Sequence, residues 1–146
     1  MRFRLIDQVV ERDDSRIVTV KAVTLAEEYL ADHFPSFPVL PGVFMLEAMV
    51  QSARLLIPDT GRRFVLGGVK AMRYGNFVGP GESLRTEVEL KKFEDDVATF
   101  RCEGRVVVPG GDVAGSDTAV SGRFTMRPTR TARIAVGARR ENQAST

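Results

Sequence analysis

Residues 43–57 read VFMLEAMVQSARLLI, a run with only two charges, Glu47 and Arg54, closed by Pro58. No other segment limits the fold so strongly. A helix that is apolar nearly all round has to be covered by protein. At 1.5 Å per residue it would run about 22 Å, the thickness of a small domain. The rest of the chain must therefore pack against it. Within it Glu47 stands out, because Glu is seldom buried without a partner or a task.

The material that packs against it follows in the sequence. From position 63 the pattern turns from helical to β, with candidate strands at 64–74, 83–93, 97–108 and 113–126. In the third, Phe100, Cys102, Gly104, Val106 and Val108 alternate with Thr99, Arg101, Glu103 and Arg105, which is period two. Cys102 falls on the apolar face and is expected to be buried. Asp95–Asp96 and Pro109–Gly110–Gly111–Asp112 mark turns. Consecutive strands with short turns favour antiparallel pairing. Upstream, 3–10 and 16–23 read as strands around a polar turn. Residues 24–31 read as a short helix, with Thr24 as N-cap and Glu27 completing a capping box. The expected class is α+β: one long central helix against an antiparallel sheet.

Composition narrows the function. With 146 residues, two separate cores would each be too small, so one domain is expected at 1–128. Residues 129–146 lose periodicity and read as a basic, flexible tail. Arg127, Arg130, Arg133, Arg139 and Arg140 stand near this end against Glu141 alone, while residues 1–126 carry 16 basic and 18 acidic groups. The body is slightly acidic, which argues against a nucleic-acid partner. No apolar run is long enough for a membrane span. The N-terminus lacks the apolar core of a signal peptide, and the lone Cys and missing glycosylation sequon fit the cytoplasm. A single His rules out a two-His zinc site.

That single His stands in residues 32–42, DHFPSFPVLPG, where Pro35, Pro38 and Pro41 recur every third position. Three fixed φ angles make a stiff, largely extended loop. His33 lies in this loop, and Glu47 follows fourteen residues later in the helix. Pro41–Gly42 opens the helix, whose first N–H groups lack intrahelical acceptors. Gly42 lets a substrate approach such an N–H closely. Phe34, Phe37, Val39 and Leu40 make the surroundings apolar. An imidazole can accept a proton near neutrality, and a carboxyl in an apolar site can stay protonated as an acid. A helix-start N–H can stabilise enolate-like charge. These parts suit removal of a proton beside a carbonyl and protonation of a leaving hydroxyl, that is, dehydration of a 3-hydroxyacyl group. Blander roles remain open for the same residues. Glu47 could pair with Arg54 or a loop Arg, and the loop Phe residues could serve the core or an interface.

The string His33-Phe34-Pro35-x-x-Pro38-Val39-Leu40-Pro41-Gly42-Val43-x-x-x-Glu47-Ala48-x-x-Gln51 resembles the signature of the 3-hydroxyacyl-acyl-carrier-protein dehydratases of the FabZ type. Leu5–Glu11, Lys21-x-Val23-Thr24 and Arg73-Tyr74-x-x-Phe77-Val78-x-Pro80-Gly81-Glu82-x-Leu84 extend the resemblance over most of residues 3–126. It implies a hot-dog fold, a sheet wrapped around the long helix. It implies a homodimer, alone or as a trimer of dimers, with His33 and Glu47 of opposite subunits meeting at the interface. His33 would be the base at C2 of a (3R)-hydroxyacyl thioester and Glu47 the acid at the 3-hydroxyl, giving a trans-2-enoyl product. The Gly42 N–H would bind the thioester oxygen, the Val39 carbonyl would orient His33, Gln51 would orient Glu47, and Phe34 would border the acyl chain. No metal or diffusible cofactor is implied. The substrate would arrive on the phosphopantetheine arm of an acidic acyl-carrier protein. The basic tail, or Arg62, Arg63, Lys70 and Arg73 near the expected pocket mouth, would attract that carrier. Glu at position 47 resembles the dehydratase-only branch, whereas the branch that also isomerises carries Asp. Asp32 departs from the Gly usual before the His, which matters if that position needs a positive φ. The alternatives are a non-catalytic hot-dog protein that binds acyl groups or carrier, and a hot-dog thioesterase.

Overall fold

The computed structural model describes residues 3–130. Among the described residues there are six strands and one α-helix: β1 (Gln8–Arg12), β2 (Arg16–Ala22), α1 (Gly42–Arg54), β3 (Phe64–Tyr74), β4 (Ser83–Glu94), β5 (Val97–Val107) and β6 (Thr118–Pro128). A 3-10 turn, Glu28–Ala31, precedes the helix. The strands form one antiparallel sheet in the order β1-β2-β4-β5-β6-β3. The helix lies across its inner face and touches β2, β4, β5, β3 and β6. This is the hot-dog arrangement.

Alternation builds the core. In β5, Ala98, Phe100 and Cys102 are buried, while Arg101 between them is exposed. Phe100 stacks on Phe124 of β6 at 5.3 Å. Met45, Ala48, Met49 and Ala53 of α1 close on this surface together with Ile17, Leu84, Val88 and Met126. One polar chain crosses the layer. Thr86 meets Thr19 at 2.6 Å, Thr19 meets Ser52 at 2.8 Å, and Ser52 donates to the Ala48 carbonyl at 2.9 Å. Each of the three hydroxyls has a partner, which offsets the cost of removing it from water. Directional bonds from sheet to helix also fix how α1 is rotated about its axis, which apolar contact alone does loosely.

Several expected boundaries move. The helix ends at Arg54 rather than 57, because Leu55 and Leu56 donate to Ser52 and Ala53 in 3-10 fashion. The Arg12 side chain caps this end at the Leu55 carbonyl. The helix is also not covered all round: Val43 is 68% exposed, and Arg54 is exposed on the same open side. The expected helix at 24–31 shrinks to one 3-10 turn. Thr24 does not cap it, although the Glu27 carboxylate accepts the Thr24 N–H at 3.1 Å, half of the capping box. The first strand begins at 8 rather than 3, and β6 begins at 118 rather than 113, after the glycine-rich turn. Of the tail expected at 129–146, residues 131–146 lie outside the described residues, while the Thr129 N–H donates to the Arg63 carbonyl at 2.8 Å. Among the described residues no helix is long and apolar enough to cross a membrane.

Candidate active site

The loop before α1 closes on itself. Phe34 and Phe37 exchange backbone bonds of 3.1 and 3.0 Å, and the Leu40 N–H donates to the Val78 carbonyl at 2.8 Å. Prolines cannot donate, so these few N–H groups hold the whole segment. The His33–Phe34 peptide is cis. Val39 grips His33 twice: its N–H donates to the His33 carbonyl at 2.9 Å, and its carbonyl lies 2.9 Å from Nδ1 of the ring. A carbonyl only accepts, so Nδ1 carries the proton in the neutral ring. Nε2 then holds the lone pair and is the basic atom. Phe34 stacks against the imidazole at 4.3 Å, with its own ring 50% exposed. Asp32 has φ −98°, ordinary right-handed backbone, so no glycine is required there.

His33, Val39 and Gly42 meet around a pocket of about 190 Å³, which Met45, Tyr74 and Phe77 also line. Gly42 is the first residue of α1, and its N–H has no protein acceptor among the described residues. The Tyr74 ring covers it so closely that a Cβ at position 42 would sit 2.8 Å from Cε1. Burial pushes the Tyr74 phenol above its ordinary range, so near neutrality it is an uncharged donor. Sequence reasoning did not single out Tyr74 as a site residue. A bulge hides it: Lys70 faces Arg123 and Arg73 faces Ser121, so β3 spends three residues on two of β6, with Ala71 at φ +52°. One extra residue reverses which face later side chains occupy.

Glu47 and Gln51 sit elsewhere. Five residues past Gly42, Glu47 is about 140° round the helix axis, and it does not line the pocket. Gln51 holds it by an Nε2 bond of 3.1 Å to Oε1. The amide has further partners far off in sequence: Oε1 accepts the Leu5 N–H at 2.8 Å, and Nε2 also donates to the Phe3 carbonyl at 3.1 Å. Those two backbone groups fix which end of the amide meets Glu47. Arg54 Nη1 lies 3.8 Å from Glu47 Oε1, a loose pair with both side chains more than a third exposed. One chain therefore assembles a base and an N–H at its pocket and displays a carboxyl on another side of the same helix.

Of the cations expected near the pocket, Arg62 and Arg63 lie with Arg54 around a groove beyond the other end of α1. Lys70 faces Arg123 across β3 and β6, beside a separate surface groove. None of the four lines the His33 pocket. Cys102 is buried; burial pushes its thiol up to about 12, and it donates to the Gly122 carbonyl. Among the described residues no cluster of His, Cys, Asp and Glu suits a metal ion.

Residues 1–116 match the model of the FabA-like domain. The chain is 38% identical over 120 residues to the 3-hydroxyacyl-[acyl-carrier-protein] dehydratase FabZ of Solibacter usitatus, covering 79% of this chain and 73% of that one. It is 36% identical to the same enzyme of Variovorax paradoxus, covering 77% and 78%. Among solved structures it is similar to the dehydratase heterocomplex ApeI:P of Xenorhabdus doucetiae (TM-score 0.62, 16% identity, 86% and 99% of the two chains). It also resembles a hypothetical thioesterase of Streptococcus pneumoniae solved with coenzyme A (TM-score 0.61, 14% identity, 84% of each chain). At such identities the structural likeness speaks for the fold alone.

Proposed function

The chain belongs to the FabA-like family, among the FabZ-type 3-hydroxyacyl-[acyl-carrier-protein] dehydratases, and from that premise we propose how its residues carry out the reaction. It is a hydro-lyase of fatty-acid biosynthesis that removes water from 3-hydroxyacyl groups linked to acyl-carrier protein. Nε2 of His33 takes the proton from C2 of a (3R)-hydroxyacyl thioester. The Gly42 N–H receives the charge that develops on the thioester oxygen, helped by the positive end of the helix. Glu47 delivers a proton to the departing 3-hydroxyl, leaving a trans-2-enoyl thioester and water. Phe34, Met45 and Phe77 border the acyl chain. The observation that carries these roles is the Val39 carbonyl 2.9 Å from Nδ1, which leaves Nε2 as the basic atom of a ring that lines the same pocket as Gly42.

The carboxyl reaches this pocket from a second subunit. Supporting this, Glu47 lies on the open side of α1 with the exposed Val43. β3 is an edge strand, exposed along most of its length, with Leu66 and Val69 presented to solvent. Unpaired strand edges with apolar side chains invite pairing with another chain. A two-fold dimer through β3 would bring Glu47 of each subunit toward the other's His33 and form two sites.

The test is an absorbance assay of the conjugated enoyl thioester. The protein is expected to equilibrate 3-hydroxyacyl and enoyl thioesters without releasing thiol. Full activity in His33→Ala or Glu47→Gln would sink the role assignment, and thiol release in place of dehydration would indicate a thioesterase.

A further inference from the structure

A carbonyl oxygen has two lone pairs, and the charge that collects on it when C2 loses a proton is best held by more than one donor. The Gly42 N–H is one such donor. Most other donors of the pocket are spent inside the fold. The backbone N–H groups of Val39, Leu40, Met45 and Gly75 all donate to carbonyls of the chain itself. Nδ1 of His33 is taken by the Val39 carbonyl. Asn76 gives both its backbone N–H and its side-chain amide to the Thr118 carbonyl, each at 3.1 Å. Among the described residues this leaves the Tyr74 hydroxyl as the pocket's one side-chain donor without a protein acceptor.

The hydroxyl is also well placed. One edge of the Tyr74 ring runs along the start of α1. From where a Cβ of Gly42 would be, Cε1 lies at 2.8 Å and Cζ, the atom that bears the hydroxyl, at 3.3 Å. The hydroxyl is thus one bond beyond the edge that covers the first helical residue. Half of the Tyr74 surface is exposed, so a ligand can reach it. The phenol is uncharged near neutrality, so it offers a proton to developing negative charge and does not repel it. The backbone that carries it is anchored on both sides. Before it stands the β3 bulge, with Ala71 at φ +52°. After it the Gly75 N–H donates to the Ala119 carbonyl at 2.8 Å, and a Cβ at position 75 would come within 2.6 Å of the Thr118 carbonyl oxygen. A donor held on a strand is already in position and needs little reorganisation when charge appears.

We propose that the Tyr74 hydroxyl is a catalytic residue's donor: together with the Gly42 N–H it holds the thioester oxygen and stabilises the enolate-like charge formed when His33 removes the C2 proton. This rests on the chain's being a dehydratase of 3-hydroxyacyl thioesters. No covalent bond forms or breaks at Tyr74; its hydroxyl keeps its proton, and the hydrogen bond tightens as charge builds on the oxygen.

The test is Tyr74→Phe, which keeps the ring over Gly42 and removes the hydroxyl alone, with Tyr74→Leu beside it. In Tyr74→Phe the kcat for dehydration should fall by about 100-fold, the scale of one lost oxyanion donor, with KM changed by less than about two-fold. Its denaturation midpoint should match that of the wild-type protein. A second readout is the infrared carbonyl stretch of a bound trans-2-enoyl pantetheine thioester, isotopically labelled at that carbon. Binding to the wild-type protein should lower its frequency, and binding to Tyr74→Phe should lower it less. Wild-type kcat in Tyr74→Phe, with a loss only in Tyr74→Leu, would assign the ring a packing role and overturn the proposal. Equal carbonyl shifts in wild type and Tyr74→Phe overturn it as well. Either result leaves the dehydratase reading standing, because the wild-type protein still turns over. If the wild-type protein dehydrates no 3-hydroxyacyl thioester, that reading fails and takes the proposal with it.

Discussion

The loop around His33 and the helix around Glu47 hold their side chains by different means. His33 is fixed by Val39, six residues away, through two backbone groups of one residue. Glu47 is fixed by a side chain, Gln51, which is itself set by Phe3 and Leu5 nearly fifty residues upstream. The first arrangement is closed within eleven residues of stiff, proline-rich chain and cannot be deleted by one substitution. The second passes through one removable amide and an N-terminal segment. The base is thus built into local backbone geometry, while the acid depends on packing between distant parts.

The largest expected effect is at the base: His33→Ala should lower kcat by about a thousand-fold, the scale of a lost general base. Glu47→Gln should cost about a hundred-fold or more on the same grounds. Mixing these two variants tests whether the regions cooperate within a chain or between chains. Random reassembly of dimers should restore about a quarter of wild-type activity if sites are shared, because half the dimers then hold one intact site. No recovery after verified subunit exchange would place both groups in one subunit. Next comes Gly42→Ala, whose Cβ would press on the Tyr74 ring. It should lower kcat/KM about ten-fold and destabilise the fold by about 1–3 kcal/mol, and adding Tyr74→Leu should recover part of the stability. Failure of that rescue would break the link between Tyr74 and the helix start.

Gln51→Glu separates the two duties of the amide. It keeps an acceptor for the Leu5 N–H, removes the donor to Glu47 and to the Phe3 carbonyl, and sets a second carboxylate beside Glu47, so kcat should fall several-fold, by about three to ten, with KM little changed. Unaltered kcat would show that Glu47 needs no such support. The smallest effect is in the sheet, away from both regions. Hydrogen bonds from Arg16 hold the Glu87 carboxyl below its ordinary 4.5. A depressed folded-state value means that the stabilisation is complete above pH 4.5 and is lost as pH falls below it. Both groups are partly exposed, so the contribution should be under about 1 kcal/mol after solvent screening. Chemical denaturation of Glu87→Gln across this range should show a flatter acid dependence. It separates lost stability from lost positioning.

Much of the molecule was legible in advance where contacts are short in sequence. β3, β4 and β5 fall within a residue of their expected limits, because period-two patterning is a local signal. The approach of Gln51 to Glu47 follows from one helical turn, while that of the Val39 carbonyl to His33 came from the family resemblance. The 24–31 segment failed as a helix because a capping pattern without enough following turns does not sustain one. The helix was expected to be covered on all sides because apolar content alone does not say what covers each side. Position 32 needed no glycine, since its φ is set by the end of a 3-10 turn, which hydropathy does not encode.

The sequence by itself determined the class, the central helix, the stiff loop and the family, because propensity, proline geometry and a motif read along the chain are local properties. Tertiary structure decided the rest. A one-residue bulge turned Tyr74 over Gly42, and the N-terminal backbone set the amide of Gln51. Helical rotation, pinned by Thr86, Thr19 and Ser52, decided which side of α1 faces the sheet, while the five-residue spacing from Gly42 keeps Glu47 off the pocket where His33 lies. The turn after the helix gathered Arg54, Arg62 and Arg63 at one groove. Each depends on strand register or helix rotation, which only long-range packing fixes.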